Sequence, residues 1–245
     1  MVRRRWRNWR QRRPASPAVL RRRRNRGFSV GVNTGLDHAR GRHALVLNPD
    51  TELALDALAL LVAHLDAHPE VAIAAPRLLN ADGSDQRTAR YFHTESAFLF
   101  GRRTVLSRLF PRNRLTTRYF VPASDAPYRV DWVSGACLAV RGEVYRTPLG
   151  HMDPGFFMYF EDEDLLPAGV GRRLPHRGQR RRAGVARGGG SPRRSRRSLV
   201  IEFSRGVFRY YSRHHARSWL DPRRSLALVA LSLRSALLLG RSLLP

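Results

Sequence analysis

The 19 acidic residues of this 245-residue chain are so unevenly placed that only its middle can be expected to fold as an ordinary domain. None precedes Asp37 and none lies between Asp164 and Glu202, while all 45 basic residues are arginine and no lysine occurs. The formal charge of +26 is therefore concentrated in two blocks, residues 1–26 and 167–198, where arginine runs are broken by proline and glycine. Neither block has a helical or strand apolar period, so neither has a face to bury. Both are expected to be disordered or miscoded. That leaves residues 27–166 as a catalytic unit and residues 199–245 as a basic, aromatic segment ending in an amphipathic helix.

A basic excess of this size ordinarily points to nucleic acid or an anionic membrane surface. Trp6, Trp9, Tyr210 and Tyr211 could stack on bases. A nucleic-acid-binding or membrane-surface protein is thus the alternative reading, but the tracts match no nucleic-acid motif, so no specific nucleic acid is expected. An acid-free, arginine-rich start also has the composition of an organelle transit peptide, whereas Pro14, Ser16 and Pro17 speak against a secretory signal. Cys137 stands alone, which excludes an intramolecular disulfide and predicts a small buried residue.

Between the blocks, the apolar run Ala44 to Leu47 predicts a buried strand opening into Asn48-Pro49-Asp50. Asp50 or Thr51 is expected to cap a helix carrying Ala54, Leu58, Leu61, Val62 and Leu65, stopped by His68-Pro69. A second strand, Val71 to Ala75, completes a βαβ unit, hence an open α/β sheet with ligands at the C-terminal ends of its strands. Val130 to Val140 reads as a strand-pair region, Phe203 to His215 as ordered, and Leu226 to Leu244 as a helix lying in a membrane interface rather than crossing it.

Three constellations carry chemistry, each with a plainer alternative. Asp50 at a strand end can share Mg2+ or Mn2+ with a diphosphate, because these hard cations take oxygen ligands; an N-cap is the alternative. Gly27, Gly31, Asn33, Gly35 and Gly41 would let backbone approach a ligand closely; turn glycines are the alternative. In Glu161 to Asp164 crowded carboxylates repel, which raises a pKa toward the range of a general base; an acidic first turn serving a helix dipole is the alternative.

The order of these pieces resembles the bacterial family 2 glycosyltransferases, especially their rhamnosyltransferase-like members. The matching segments are Asn25-x-Gly27-Phe28, Gly31-x-Asn33-x-Gly35, Ala39-x-Gly41, Leu47-Asn48-Pro49-Asp50-Thr51, Pro76-Arg77, Asp82-Gly83 with Gln86 and Arg90, Val130 to Ala136, and Asp153-x-x-Phe156-Phe157-x-Tyr159-x-Glu161-Asp162-x-Asp164-Leu165. The resemblance implies a GT-A-like sheet and a dTDP- or UDP-sugar donor held near Asn33, Gly35, Gly41, Asn48 and Asp50. It also implies a divalent cation, Mg2+ or Mn2+, at Asp50 and an acceptor cleft at Trp132, Ser134 and Gly135. Asp162 would be the base, with Glu161 beside it. The acceptor would be a saccharide or a lipid-linked sugar of the cell envelope, and the location cytoplasmic, peripheral on the inner membrane face.

Such enzymes usually carry an apolar strand and an acidic loop before the position of Asn25, where this chain has arginines, and a histidine-glycine-serine segment after Leu165, for which His176 is a poor substitute. The fold is therefore expected to be incomplete and the donor affinity weakened, even to inactivity. Lysine-free usage implies GC-rich coding DNA, whose out-of-frame translation yields arginine, glycine, alanine and proline. The two blocks are expected to have that origin.

Overall fold

The computed structural model describes residues 18–91, 127–165, 174–177, 184–186 and 196–240. The expectations for residues 1–17, for the aromatic stretch up to residue 126, for most of residues 167–198 and for residues 241–245 lie outside the described residues.

Helix α1, Phe28–His38, opens the described core. Phe28, Val32 and Leu36 recur every four residues and put one helical face against the core shared with Ala44, Ile73, Leu138 and Val140. Gly31 and Gly35 sit inside this helix, where an added Cβ would meet nothing within 4 Å, so neither is a turn glycine or a close-approach glycine. Their spacing is that of a helix face. Gly41 differs, because a Cβ there would come within 2.8 Å of the His43 carbonyl oxygen.

Strand β1, His43–Leu47, pairs antiparallel with β7, Cys137–Arg141, in the register Leu47 to Cys137. Every residue of β7 is buried, as a central strand of apolar residues requires. Helix α2, Ala57–Ala67, buries Ala57, Leu61, His64 and Leu65. Leu61 and Leu65 meet Val71, Ala74 and Ala139 in a second apolar cluster, each buried leucine contributing about 1.5–3 kcal/mol. Arg141, buried at the end of β7, donates to the carbonyl oxygens of Val71 at 2.8 Å and His68 at 2.6 Å, and also to that of Leu65. It thereby satisfies the Leu65 carbonyl, which has no helical donor because Pro69 lacks an N–H, and ties the end of α2 to the start of the next strand.

The expected helix start is corrected: Thr51–Leu53 form a short strand, β2, and α2 begins after Asp56. Asp50 and Thr51 therefore cap nothing. Strand β3, Ile73–Pro76, pairs antiparallel with β7 and parallel with β8, Leu174–Arg177. The sheet order is β1-β7-β3-β8-β5, with β5 at Tyr128–Val130. Since β1 and β3 are both antiparallel to β7, they run parallel to one another, so the predicted βαβ crossover exists with β7 inserted between its strands.

Strand β4, Ala89–Arg90, pairs with β6, Trp132–Val133, and β9, Gly184–Ala186, pairs with β2. The block 167–198, where composition predicts no order, thus contributes β8 and β9. Ladder pairing uses backbone groups alone, so strands can form where side chains show no apolar period. A one-turn helix α3, Gly142–Tyr145, follows β7. Helix α4 covers Glu161–Asp164, α5 covers Arg196–His214 and α6 covers Pro222–Gly240. Asp221 closes the α5–α6 link, accepting from the Arg217 amide at 2.9 Å and the Arg223 amide at 3.0 Å just ahead of the first turn of α6.

Candidate active site

The segment from Met152 to Leu165 runs between α1 and α5 and is gripped by both. From α1, the Phe28 amide donates to the Phe157 carbonyl at 2.8 Å and the Ser29 hydroxyl to the Phe156 carbonyl at 2.7 Å. The Asn33 side chain bonds both backbone groups of Met152, donating at 2.7 Å and accepting at 2.8 Å. Gly27 makes the approach possible: it has φ 97°, and a Cβ there would lie 2.3 Å from the Phe157 oxygen.

From α5, Arg209 reaches Asp153 at 2.7 Å and Arg213 reaches it at 2.6 Å. Burial raises the Asp153 carboxyl, but the Gly155 amide and the two guanidinium groups outweigh that and hold it below its ordinary value. At the end of the acidic run, buried Asp164 meets His214 Nε2 at 2.6 Å and Arg213 Nε at 3.5 Å.

Between these anchors Tyr159 and Phe160 both take left-handed backbone, φ 74° and 70°, at a cost of about 1–3 kcal/mol each. Their rings pack on Phe203 of α5, with centroids 5.7 and 5.5 Å away, and Phe160 also on Tyr210 at 5.7 Å. Gly206 lets α5 come this close, since a Cβ on it would stand 2.8 Å from the Tyr159 oxygen.

That left-handed turn delivers Glu161 to Asp164 into α4 with Glu161, Glu163 and Asp164 buried. The acidic first turn foreseen as a dipole partner is present, yet α4 is one turn long, and burial decides its chemistry. Asp162 Oδ2 accepts the Gly135 amide at 3.1 Å and Oδ1 accepts the Glu163 amide at 3.0 Å. Desolvation raises the Asp162 pKa despite the Gly135 bond, with the Glu163 charge adding to the rise and Arg90 opposing it. Desolvation and the neighbouring Asp162 charge raise Glu161 as well. Glu161 Oε2 is buried with no hydrogen-bond partner among the described residues, an environment that favours its neutral acid form.

The facing wall is built from β4 and β6. Arg90 stands opposite Trp132 in that pair, with its guanidinium carbon 5.0 Å from the Trp132 ring centroid. Ser134 donates its amide to the Thr88 carbonyl at 3.0 Å. A Cβ on Gly135 would lie 3.0 Å from the Phe28 ring and 3.7 Å from Asp162 Cβ. The next residue, Ala136, accepts the Asn48 amide at 2.9 Å, which stitches the Asn48-Pro49-Asp50 turn beside Ser134 and Gly135.

One corner of the sheet, at the C-terminal end of β1, therefore gathers Asn48, Asp50, Trp132, Ser134, Gly135, Glu161 and Asp162. It does not gather Asn33, Gly35 and Gly41. Asn33 spends its amide on Met152, Gly35 lies exposed on α1, and Gly41 sits at the opposite end of β1, where its carbonyl accepts from Tyr145 Oη at 2.5 Å.

Asp50 lies exposed in the tight turn closed by the Thr51 amide on the Asn48 carbonyl at 3.1 Å. Among the described residues no group of three or more His, Cys, Asp or Glu is placed to hold a metal. In the turn after β1, Asp50 is an exposed, hard oxygen donor, which fits a cation whose remaining ligands are phosphate oxygens and water, and does not fit an all-protein metal cage. Sequence reasoning left Arg90 without a role and missed Arg209, Arg213 and His214 as partners of the acidic segment. For α5 the signal was there: an acid-poor stretch of arginines and histidines must find its counter-charges elsewhere in the chain.

Comparison with known proteins gives this corner a context. A family model described as Glycosyl transferase family 2 matches residues 7–134, somewhat over half of the chain, and opens inside the arginine-rich N-terminal block. The N-acetylglucosaminyl-diphospho-decaprenol L-rhamnosyltransferases of Mycobacterium tuberculosis strains CDC 1551 / Oshkosh and ATCC 25618 / H37Rv are each 33% identical over 122 residues. That match covers 49% of this chain and 39% of each of those proteins. Among solved structures, the mannosyltransferase PcManGT from Pyrobaculum calidifontis in complex with GDP-Man and Mn2+ is 17% identical, with a TM-score of 0.47 over 97% of this chain and 65% of that one. GalNAc-T7 with UDP, GalNAc and Mn2+ is 17% identical, with a TM-score of 0.45 over 85% of this chain and 42% of that one.

Proposed function

This chain belongs to glycosyl transferase family 2, and on that premise we propose that it transfers a sugar, with inversion, from a dTDP- or UDP-sugar to a saccharide or lipid-linked acceptor of the cell envelope. Its mixed α/β sheet is that of an incomplete GT-A fold. Rhamnose is the candidate sugar, supported by the rhamnosyltransferase relatives. The observation that carries the reading is the bond from the Gly135 amide to Asp162 Oδ2 at 3.1 Å, next to the Asn48–Ala136 bond at 2.9 Å. Two motifs far apart in the chain thereby meet at the strand end that bears Asp50.

In the proposed step the acceptor hydroxyl lies against Trp132 and Gly135, and its proton passes to the free lone pairs of Asp162. The acceptor oxygen bonds to the anomeric carbon from the face opposite the diphosphate, and the bond from that carbon to the diphosphate oxygen breaks with its electron pair. Burial pushes the Asp162 pKa up to about 6, which makes it a stronger base than an exposed aspartate, while the Gly135 bond and then the Arg90 charge limit the rise so that it stays mostly ionised near neutrality. Neutral Glu161 adds no further negative charge to that of Glu163 beside it. A divalent cation bound at Asp50 would neutralise charge on the departing diphosphate. Asp50 is the ligand the chain would supply.

The experiment is a melting assay of the full chain with UDP- and dTDP-sugars, with and without Mn2+ or Mg2+, followed by transfer assays on the same samples. Asp162→Asn is expected to keep the donor-induced stabilisation and to lower turnover by about 10²–10⁴. Asp50→Asn is expected to lose the metal-dependent part of the stabilisation. Unchanged turnover in Asp162→Asn would remove the base assignment, and no stabilisation by any donor with either metal would remove the transferase reading of this chain.

A further inference from the structure

Helix α6 is amphipathic in the inverted sense. On the side facing α5, Ala227 is buried, Ser235 shares a 2.8 Å hydrogen bond with Ser204, and Arg234 and Arg224 lie over the rings of Phe203 and Phe208 at 5.2 and 5.5 Å. The arginines of this helix are thus spent inward. Its outward side carries Leu226, Val229, Leu233 and Leu237, spaced three and four residues apart and 55–69% exposed. The preceding link adds Trp219 at 77% and Leu220 at 70%. From Leu226 to Leu237 the stripe is about 16 Å long at the helical rise. A contiguous apolar face of this kind is not stable against water and marks a contact surface.

We infer that this face docks α6 flat on an anionic lipid bilayer. Two observations select lipid over a protein partner. Trp219 stands exposed at the edge of the apolar stripe, where an amphipathic ring favours a membrane–water interface, and no described helix is long and apolar enough to cross a membrane, so the stripe suits a helix lying in the interface. The chain from Arg196 to Pro245 holds ten arginines against two acids, Glu202 and Asp221; with Arg209 and Arg213 set against Asp153 and Asp164, an excess of six positive charges (10 − 2 − 2) remains, complementary to an anionic surface. The apolar stripe supplies insertion and the surrounding charge supplies attraction. The inference stands on α5 and α6 alone and does not depend on sugar transfer.

The test is co-sedimentation of the full chain with vesicles of phosphatidylglycerol and phosphatidylcholine in equal parts, and with phosphatidylcholine alone, at rising salt. Binding is expected to the mixed vesicles, to weaken with salt, and to fall on the order of tenfold or more in Leu233→Glu/Leu237→Glu. These side chains are exposed, so the fold should survive, as circular dichroism would verify. Should the glutamates perturb it, Leu233→Ser/Leu237→Ser carries the same expectation in milder form. Equal binding by the folded variants would overturn the assignment of the face, and equal, salt-independent binding to phosphatidylcholine would overturn the anionic preference. A dimer in ultracentrifugation that the variants dissociate, with no vesicle binding by the parent, would assign the face to a second copy of the chain instead.

Discussion

Replacing Gly27 by alanine isolates the contact that holds α1 against the acidic segment. Its φ of 97° with ψ of 176° belongs to a region open essentially to glycine alone, so an alanine forced to keep it costs about 1–3 kcal/mol. The new Cβ would also stand 2.3 Å from the Phe157 oxygen and 2.7 Å from its Cα. Both are backbone atoms with no rotamer to yield, so the segment must move and the 2.8 Å bond from the Phe28 amide weakens or breaks, a loss of about 0.5–1.5 kcal/mol. The two contributions together come to about 1.5–4.5 kcal/mol. Gly31→Ala and Gly35→Ala serve as controls, because each lies in α1 with open space around it. Each should stabilise by about 0.4–1 kcal/mol through loss of unfolded-chain entropy. Urea unfolding of the full chain, read as a change of midpoint at constant slope, measures all three. A Gly27→Ala midpoint equal to that of the parent, or a Gly31→Ala loss as large as that of Gly27→Ala, would refute the reasoning.

Other predictions concern the carboxylates. Because Glu161 has a raised native pKa, the folded chain holds a proton that the unfolded chain has already lost. Stability should therefore fall as pH rises from the ordinary glutamate value through the native one, and Glu161→Gln should flatten that slope in denaturant titrations at several pH values. Were the two pH profiles parallel, Glu161 would not be the titrating group. Arg209→Lys removes the paired nitrogens that reach Asp153; Arg209 is partly exposed, so a stability loss of about 1 kcal/mol is expected, measured by the same unfolding assay.

Some of this architecture was plain in the sequence and some was hidden for identifiable reasons. Strands β1 and β7 and the face of α2 were readable because burial on a regular element imprints its period on neighbouring residues. Asp50 was misread as a helix cap because β2 intervenes, and β2 is three residues long, paired with β9 from a block without apolar pattern. Local signals cannot report a ladder that closes from the far end of the chain. Gly27, Gly31 and Gly35 looked alike in sequence, yet of the three only Gly27 meets a backbone that a side chain would strike. The crowding of Glu161 to Asp164 was legible in the sequence, and the family resemblance singled out Asp162 from it, whereas the bond between Asp164 and His214 spans 50 residues and leaves no spacing to recognise.

The grip of α5 on the acidic segment bears on how a shorter fragment should be cut to assay the proposed transfer. A piece ending before Arg196 would retain every residue of the family match, which stops at residue 134, and all the carboxylates of α4. It would also strip Arg209, Arg213 and His214 from Asp153 and Asp164 and remove the aromatic floor under Tyr159 and Phe160. The acids would then be free to turn toward water, and a soluble, well-behaved fragment could be inert through slack alone. The boundary of the working unit is set by where its carboxylates find their counter-charges, some fifty residues beyond the last of them.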